Sequence, residues 1–126
     1  MQIFKFIVKF KKNTGGYKML TDAHWESFEV SKGSILKTAR LKHDGHGWHQ
    51  IAVLMPPGTN FAKDSGPTTC IVEFVTGQAM YKVNGKTCYS RPNITQRISA
   101  GELFEISMAF TEVLWILHYP PKLRAV

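Results

Sequence analysis

Thr69-Cys70-Ile71-Val72-Glu73-Phe74-Val75-Thr76-Gly77-Gln78-Ala79-Met80-Tyr81-Lys82-Val83-Asn84-Gly85 is the stretch on which the fold rests. Residues 69–76 and 79–83 are rich in β-branched and aromatic side chains, which crowd a helix but fit a pleated surface. Each run is too short for a packed helix and is closed by a turn signal. Gly77 ends the first run. Asn84-Gly85, a pair that accepts the positive φ angles of a tight hairpin, ends the second.

The same grammar recurs on either side. Short β-type runs at 27–30, 35–41, 48–55, 97–99, 103–107 and 113–119 are separated by Lys32-Gly33, His43-Asp44-Gly45-His46-Gly47, Pro56-Pro57-Gly58, Ser65-Gly66-Pro67, Pro92-Asn93 and Ala100-Gly101. About eight strands at this spacing predict an all-β domain over residues 21–126, a sandwich, barrel or jelly roll. Residues 21–28 are the one short helix candidate. Ahead of the domain, residues 2–11 alternate, with Phe4, Phe6, Val8 and Phe10 on one face and lysines on the other. Asn13-Thr14-Gly15-Gly16 then supplies a reversal, so residues 1–20 are expected to form a basic β-hairpin extension.

At 126 residues, 44% of them hydrophobic and 20% charged, the chain has the size and apolar content for one core, which excludes intrinsic disorder. The longest apolar runs, 51–55 and 113–117, fall far below the ~20 residues of a bilayer span. With no signal-peptide pattern either, a soluble, cytoplasmic protein without a membrane partner is expected. Cys70 and Cys88 are too few for a disulfide framework and are expected as reduced thiols. The formal charge of +7 is uneven: Lys5, Lys9, Lys11, Lys12 and Lys18 hold five of the 16 basic residues, and the other 11 face nine acids. A nearly neutral body argues against nucleic acid as a partner, because a binding groove spreads cations through the fold.

His43, His46 and His49, with Asp44 beside them, place three imidazoles within one short segment. Such a set suits a transition metal if the loop folds back on itself, and a solvated loop otherwise. Gly45 and Gly47 argue against the helix that this spacing needs. His49 shares strand parity with Ile51 and Val53 and is expected to point inward with them.

The order of turns from Pro56 onward carries a family resemblance. Pro57-Gly58-Thr59, an apolar strand ending in Thr76-Gly77, the run Ala79–Val83, Asn84-Gly85, and Ile98-Ser99-Ala100-Gly101-Glu102-Leu103-Phe104-Glu105-Ile106 together resemble the cupin superfamily of small β-barrels. The resemblance implies a single-domain cupin-like jelly roll with Cys70, Val72 and Phe74 pointing into the barrel. Metal-binding cupins place two histidines and a glutamate before that glycine and one more histidine after the second turn. The matching positions here are Asp64, Gly66, Cys70 and Glu112, so no metal and no other cofactor is expected.

Within the superfamily the chain is most similar to the short pyrimidine/purine nucleoside phosphorylases, which lack the metal set. The likeness lies in Phe28-Glu29-Val30-Ser31-Lys32-Gly33, His49-Gln50-Ile51-Ala52-Val53-Leu54-Met55, Val75-Thr76-Gly77 and Ile116-Leu117-His118-Tyr119. Gly58-Thr59-Asn60-Phe61, Thr69-Cys70-Ile71 and Ser107-Met108-Ala109 depart from that family's pattern.

This resemblance implies phosphorolysis, in which a nucleoside and phosphate give a free base and ribose 1-phosphate. Such a site must hold the phosphate, clamp the base and stabilise positive charge developing on the ribose. Arg97, Arg40 and Lys37 are the phosphate candidates, since a guanidinium engages two oxygens at once. Tyr81, with Phe74 and Trp115, is the candidate ring for the base, and core packing is the other role open to each. Glu73, a carboxylate inside an apolar strand, and His49 are the acid–base candidates, followed by Glu105 and His118. A homodimer through sheet edges or the N-terminal strand is expected. The alternative is a non-catalytic barrel that binds a small ligand or a protein, which the aromatic face of the N-terminal hairpin favours.

Overall fold

The computed structural model describes residues 25–31, 34–41, 47–64 and 66–120. The expected hairpin of residues 1–20 lies outside them, as do His43, Asp44 and His46. Ten strands run through the described residues: β1 Glu26–Ser31, β2 Ser34–Leu41, β3 His49–Met55, β4 Phe61–Asp64, β5 Cys70–Thr76, β6 Ala79–Val83, β7 Lys86–Tyr89, β8 Ile94–Ile98, β9 Leu103–Ala109 and β10 Val113–Tyr119. They form a six-stranded sheet in the order β1-β2-β3-β10-β5-β8 and a four-stranded sheet in the order β4-β9-β6-β7. Every neighbouring pair is antiparallel. Among these residues no helix is long and apolar enough to cross a membrane.

The all-β expectation holds, with three corrections to its elements. Residues 26–28 are strand rather than helix: Glu26, Ser27 and Phe28 pair with Thr38, Lys37 and Leu36, which satisfies backbone groups that so short a helix leaves open. β4 and β7 are additional strands, each of four residues and each at an edge of the small sheet. β8 starts at Ile94 rather than at residue 97. The turn chemistry reads as expected, for Asn84 and Gly85 both take positive φ, 49° and 81°. This is the pair of angles that joins β6 to β7 without splaying them.

Two clusters of buried residues matter for the site. One fills the space between the sheets and includes Leu36, Val53, Cys70, Val72, Phe74 and Trp115 from the large sheet and Tyr81, Phe104 and Ile106 from the small one. Cys70, Val72 and Phe74 thus point inward, as the cupin resemblance implied. The other lies on the outer face of the large sheet, where Ala39, Leu41, Ala52, Leu54, Val75, Leu114 and Ile116 are buried and Trp25 packs against them. Successive residues such as Phe74 and Val75, or Trp115 and Ile116, belong to opposite clusters, as a pleated strand requires. The centre of the large sheet is therefore buried on both faces. Cys70 and Cys88 are free thiols.

Candidate functional site

Strand parity divides the six residues that the sequence nominated. Arg40, His49 and Tyr81 face the space between the sheets; Lys37, Glu73 and Arg97 do not. Lys37 and Arg40 lie three apart on β2, an odd interval, so they project from opposite faces. Arg40 goes with Leu36 and Thr38, whereas Lys37 goes with the outer Ala39 and Leu41. Lys37 lies within Coulombic reach of Glu112, beside β10.

Glu73 lies on the outer face, and its partner there is specific. Gln50 Nε2 donates to His118 Nδ1 at 3.2 Å, which leaves the His118 Nε2–H to donate to Glu73 Oε1 at 2.9 Å. The chain crosses β3, β10 and β5, three adjacent strands. Arg97 is exposed on the edge strand β8, in register with Ile71 and, through it, with His118.

Tyr81 is 3% exposed and sits among rings, 5.0 Å from Phe74 and 6.0 Å from Phe104 between centroids. Its hydroxyl donates to Gln96 Oε1 at 3.0 Å, and burial, reinforced by Cys88, pushes its pKa up to about 12. Its contacts are those of a core residue that ties the two sheets together. Its ring offers no open face to a base.

The inner face of β1, β2, β3 and β10, together with β4, surrounds an open cavity of about 570 Å³ lined by Leu36, Ile51, Val53, Phe61, Trp115 and Leu117 and by the polar Glu29, Thr38 and Lys63. That volume lies in the range of small-molecule sites. A second cleft of about 320 Å³, lined by Glu26, Thr38, Arg40 and Ile51, shares Thr38 and Ile51 with the first. The two lie side by side at the mouth of the barrel, an apolar chamber next to a polar porch. At its rim the His49 ring stacks on Tyr119, centroids 5.0 Å apart and planes 28° from parallel, and Arg40 Nη1 donates to the Tyr119 hydroxyl at 3.4 Å. Parity marked His49 in the sequence, and Arg40 was named there as a cation suited to phosphate. Thr38, Lys63, Glu26 and Glu29 were missed, although Thr38 shares the parity of Arg40.

Next to Trp115 the space narrows. The space among Phe61, Lys63, Cys70, Val72, Ile98 and Phe104 is about 10 Å³, no more than one water needs. Cys70, at a position where metal-binding cupins carry a ligand, is 4% exposed, and burial raises its thiol pKa while Lys63 opposes the rise. Glu112, at another such position, is exposed. Among the described residues no three histidine, cysteine or carboxylate side chains gather as a metal set. The described residues thus do not make the donor set that metal-binding cupins carry.

No protein-family profile matches the sequence, and no curated protein matches it. Solved structures do match. A predicted oxalate decarboxylase from Thermotoga maritima superposes with a TM-score of 0.69 at 14% identity, over 81% of this chain and 96% of that one. An RmlC-like cupin from Shewanella frigidimarina gives 0.63 at 14%, over 79% and 86%, and the Cnp3 cupin domain of Schizosaccharomyces pombe gives 0.60 at 19%, over 76% and 69%. At these identities the likeness establishes the fold, a cupin jelly roll.

Proposed function

We propose that the chain is a small-molecule-binding cupin whose ligand joins a flat or apolar body to an anionic head. The body packs in the chamber against Phe61, Ile51 and Leu117, which are partly exposed there, and the head meets Arg40 in the porch. The observation that carries this reading is that the two cavities adjoin, with Thr38 and Ile51 lining both. An apolar pocket with a few converging polar groups is the usual form of a ligand site.

Nucleoside phosphorolysis is the enzymatic form of the same reading. What favours it is that one polar cleft holds both an acid and a cation, Glu26 and Arg40, beside an aromatic chamber. Phosphate would attack C1′ as the glycosidic bond breaks, the bonding pair leaving with the base, which takes up a proton. Arg40 would hold the phosphate, and Glu26 or Glu29 would face the positive charge on the ribose. Glu73, Arg97 and Lys37 have no part in that arrangement, for they lie on the other face of the sheet.

The test is tryptophan-fluorescence titration with nucleosides, nucleoside monophosphates and aromatic carboxylates, alongside an assay of phosphate-dependent base release. Arg40→Ala is expected to weaken an anionic ligand by about 10- to 100-fold, the equivalent of a charge-assisted hydrogen bond. Base release lost in Arg40→Ala and kept in Arg97→Ala supports phosphorolysis in the mouth. Loss only in Arg97→Ala moves the phosphate to the outer face and overturns the site. No binding across the panel overturns the ligand class.

A further inference from the structure

We propose that the outer face of the four-stranded sheet is the surface on which a second copy of this chain docks. Five large apolar side chains are exposed among the described residues, and four of them belong to β7, to β9 or to the residue after it: Tyr89 at 65%, Phe110 at 53%, Leu103 at 43% and Met108 at 40%. Tyr89, Met108 and Phe110 gather at one end of the sheet, whereas Leu103 lies at the other end of β9, beyond Glu105. Met80 of β6 is in register with Tyr89 of β7 on one side and with Met108 of β9 on the other. Tyr89, Met80 and Met108 thus make one apolar row across three strands, at the ~5 Å spacing of adjacent strands. Phe110 follows two residues beyond Met108. Soluble monomers seldom leave an unbroken apolar row of this kind in water.

The neighbouring row identifies the occupant. Lys82 of β6 is in register with Thr87 of β7 and with Glu105 of β9, so a cation and an anion stand side by side on the strands that carry the two methionines. A two-fold axis parallel to the strands and midway between β6 and β9 exchanges those strands between copies. It sets Lys82 over Glu105 of the partner, Glu105 over Lys82 of the partner, and each Met80 over the other copy's Met108. Every contact is then made twice, which is the signature of a self-complementary interface. An unrelated partner needs no such antisymmetry. Two sheets meeting face to face, ~10 Å apart with their strand directions within about 30° of each other, are a stable packing. The surface shares no residue with the barrel mouth, so it stands or falls independently of the ligand.

Sedimentation equilibrium of the full chain through the micromolar range decides the matter. The expected mass is twice that of the chain at the upper end, falling toward one chain on dilution. Lys82→Glu and Glu105→Lys are each expected to weaken the dimer by about tenfold or more, because each creates two like-charge contacts, and the double variant is expected to restore it. Met108→Glu is expected to yield a monomer with an unchanged far-ultraviolet circular dichroism spectrum. A wild-type chain that stays monomeric, a dimer indifferent to Met108→Glu, or single swaps that the double variant does not rescue would each overturn the proposal.

Discussion

At the scale of the residue, Gly77 shows how much one missing side chain can carry. It takes φ +89°, and a Cβ there would run into the carbonyl oxygen of Glu112 and lie 2.8 Å from the Val113 Cα. Gly77 ends β5 against the start of β10, the strand at the centre of the large sheet's contacts, so backbone would have to move. Gly85 has a similar φ of +81° with open space around the same position. The pair separates strain from collision. Gly85→Ala is expected to cost about 1–2 kcal/mol, the penalty of left-handed backbone alone. Gly77→Ala is expected to cost about 3 kcal/mol or more, since a backbone collision is added. Urea midpoints of the two variants measure this, and equal losses would show that the β10 backbone yields freely.

At the scale of the element, the bond from Glu73 through His118 to Gln50 acts as a clip across β5, β10 and β3. Glu73 and His118 are only about a fifth exposed, at 21% and 18% of the side chain, so breaking the clip leaves a half-buried carboxylate short of a donor. His118→Ala is expected to lower stability by about 1–3 kcal/mol while leaving ligand affinity in the mouth intact. Lost binding with unchanged stability would restore Glu73 and His118 as functional groups. Sequence reasoning singled out Glu73 because a carboxylate amid Ile71 and Val75 looks misplaced. Parity with apolar neighbours names the barrel side only when one face of a sheet is buried. Here Val75 and Ile116 are buried outside while Phe74 and Trp115 are buried inside, so the apolar pattern of β5 and β10 says nothing about which side is which. On β3 His49 shares the parity of Ile51 and Val53, and the sequence placed it inward on that ground; Arg40 was chosen for its charge, and its face on β2 went unread. β4 and β7 escaped notice for a different reason. Phe61-Ala62-Lys63-Asp64 and Lys86-Thr87-Cys88-Tyr89 are edge strands of one residue pair per face, too short for period two to emerge. With β4 went Lys63, one of the three polar residues that line the chamber.

At the scale of the whole molecule, the aromatic contacts from Tyr81 through Phe104 and Trp115 to Phe61, with centroids 5.4 to 6.0 Å apart, join the small sheet to the large one. Tyr81 sits at the end of this run, and its hydroxyl reaches across to Gln96 on β8. The state of that hydroxyl therefore couples pH to the packing of both sheets. Burial raises its pKa to about 12 in the folded chain, against about 10 for an exposed tyrosine. The fold favours the protonated phenol, so the unfolded chain loses its proton first as pH rises. The stability this contributes is complete below pH 10 and drains away between about pH 10 and 12. Tyr81→Phe removes both the hydrogen bond and the titration. It is expected to be less stable than wild type near neutrality by about 1 kcal/mol, and the gap is expected to shrink as pH climbs through 11. Other alkaline titrations shift both proteins alike and cancel in the difference. Urea unfolding of the two proteins at pH 8, 10 and 11 reads that difference directly, and a gap that stays constant over the series would mean that the phenol keeps its ordinary pKa and that packing alone ties the sheets together.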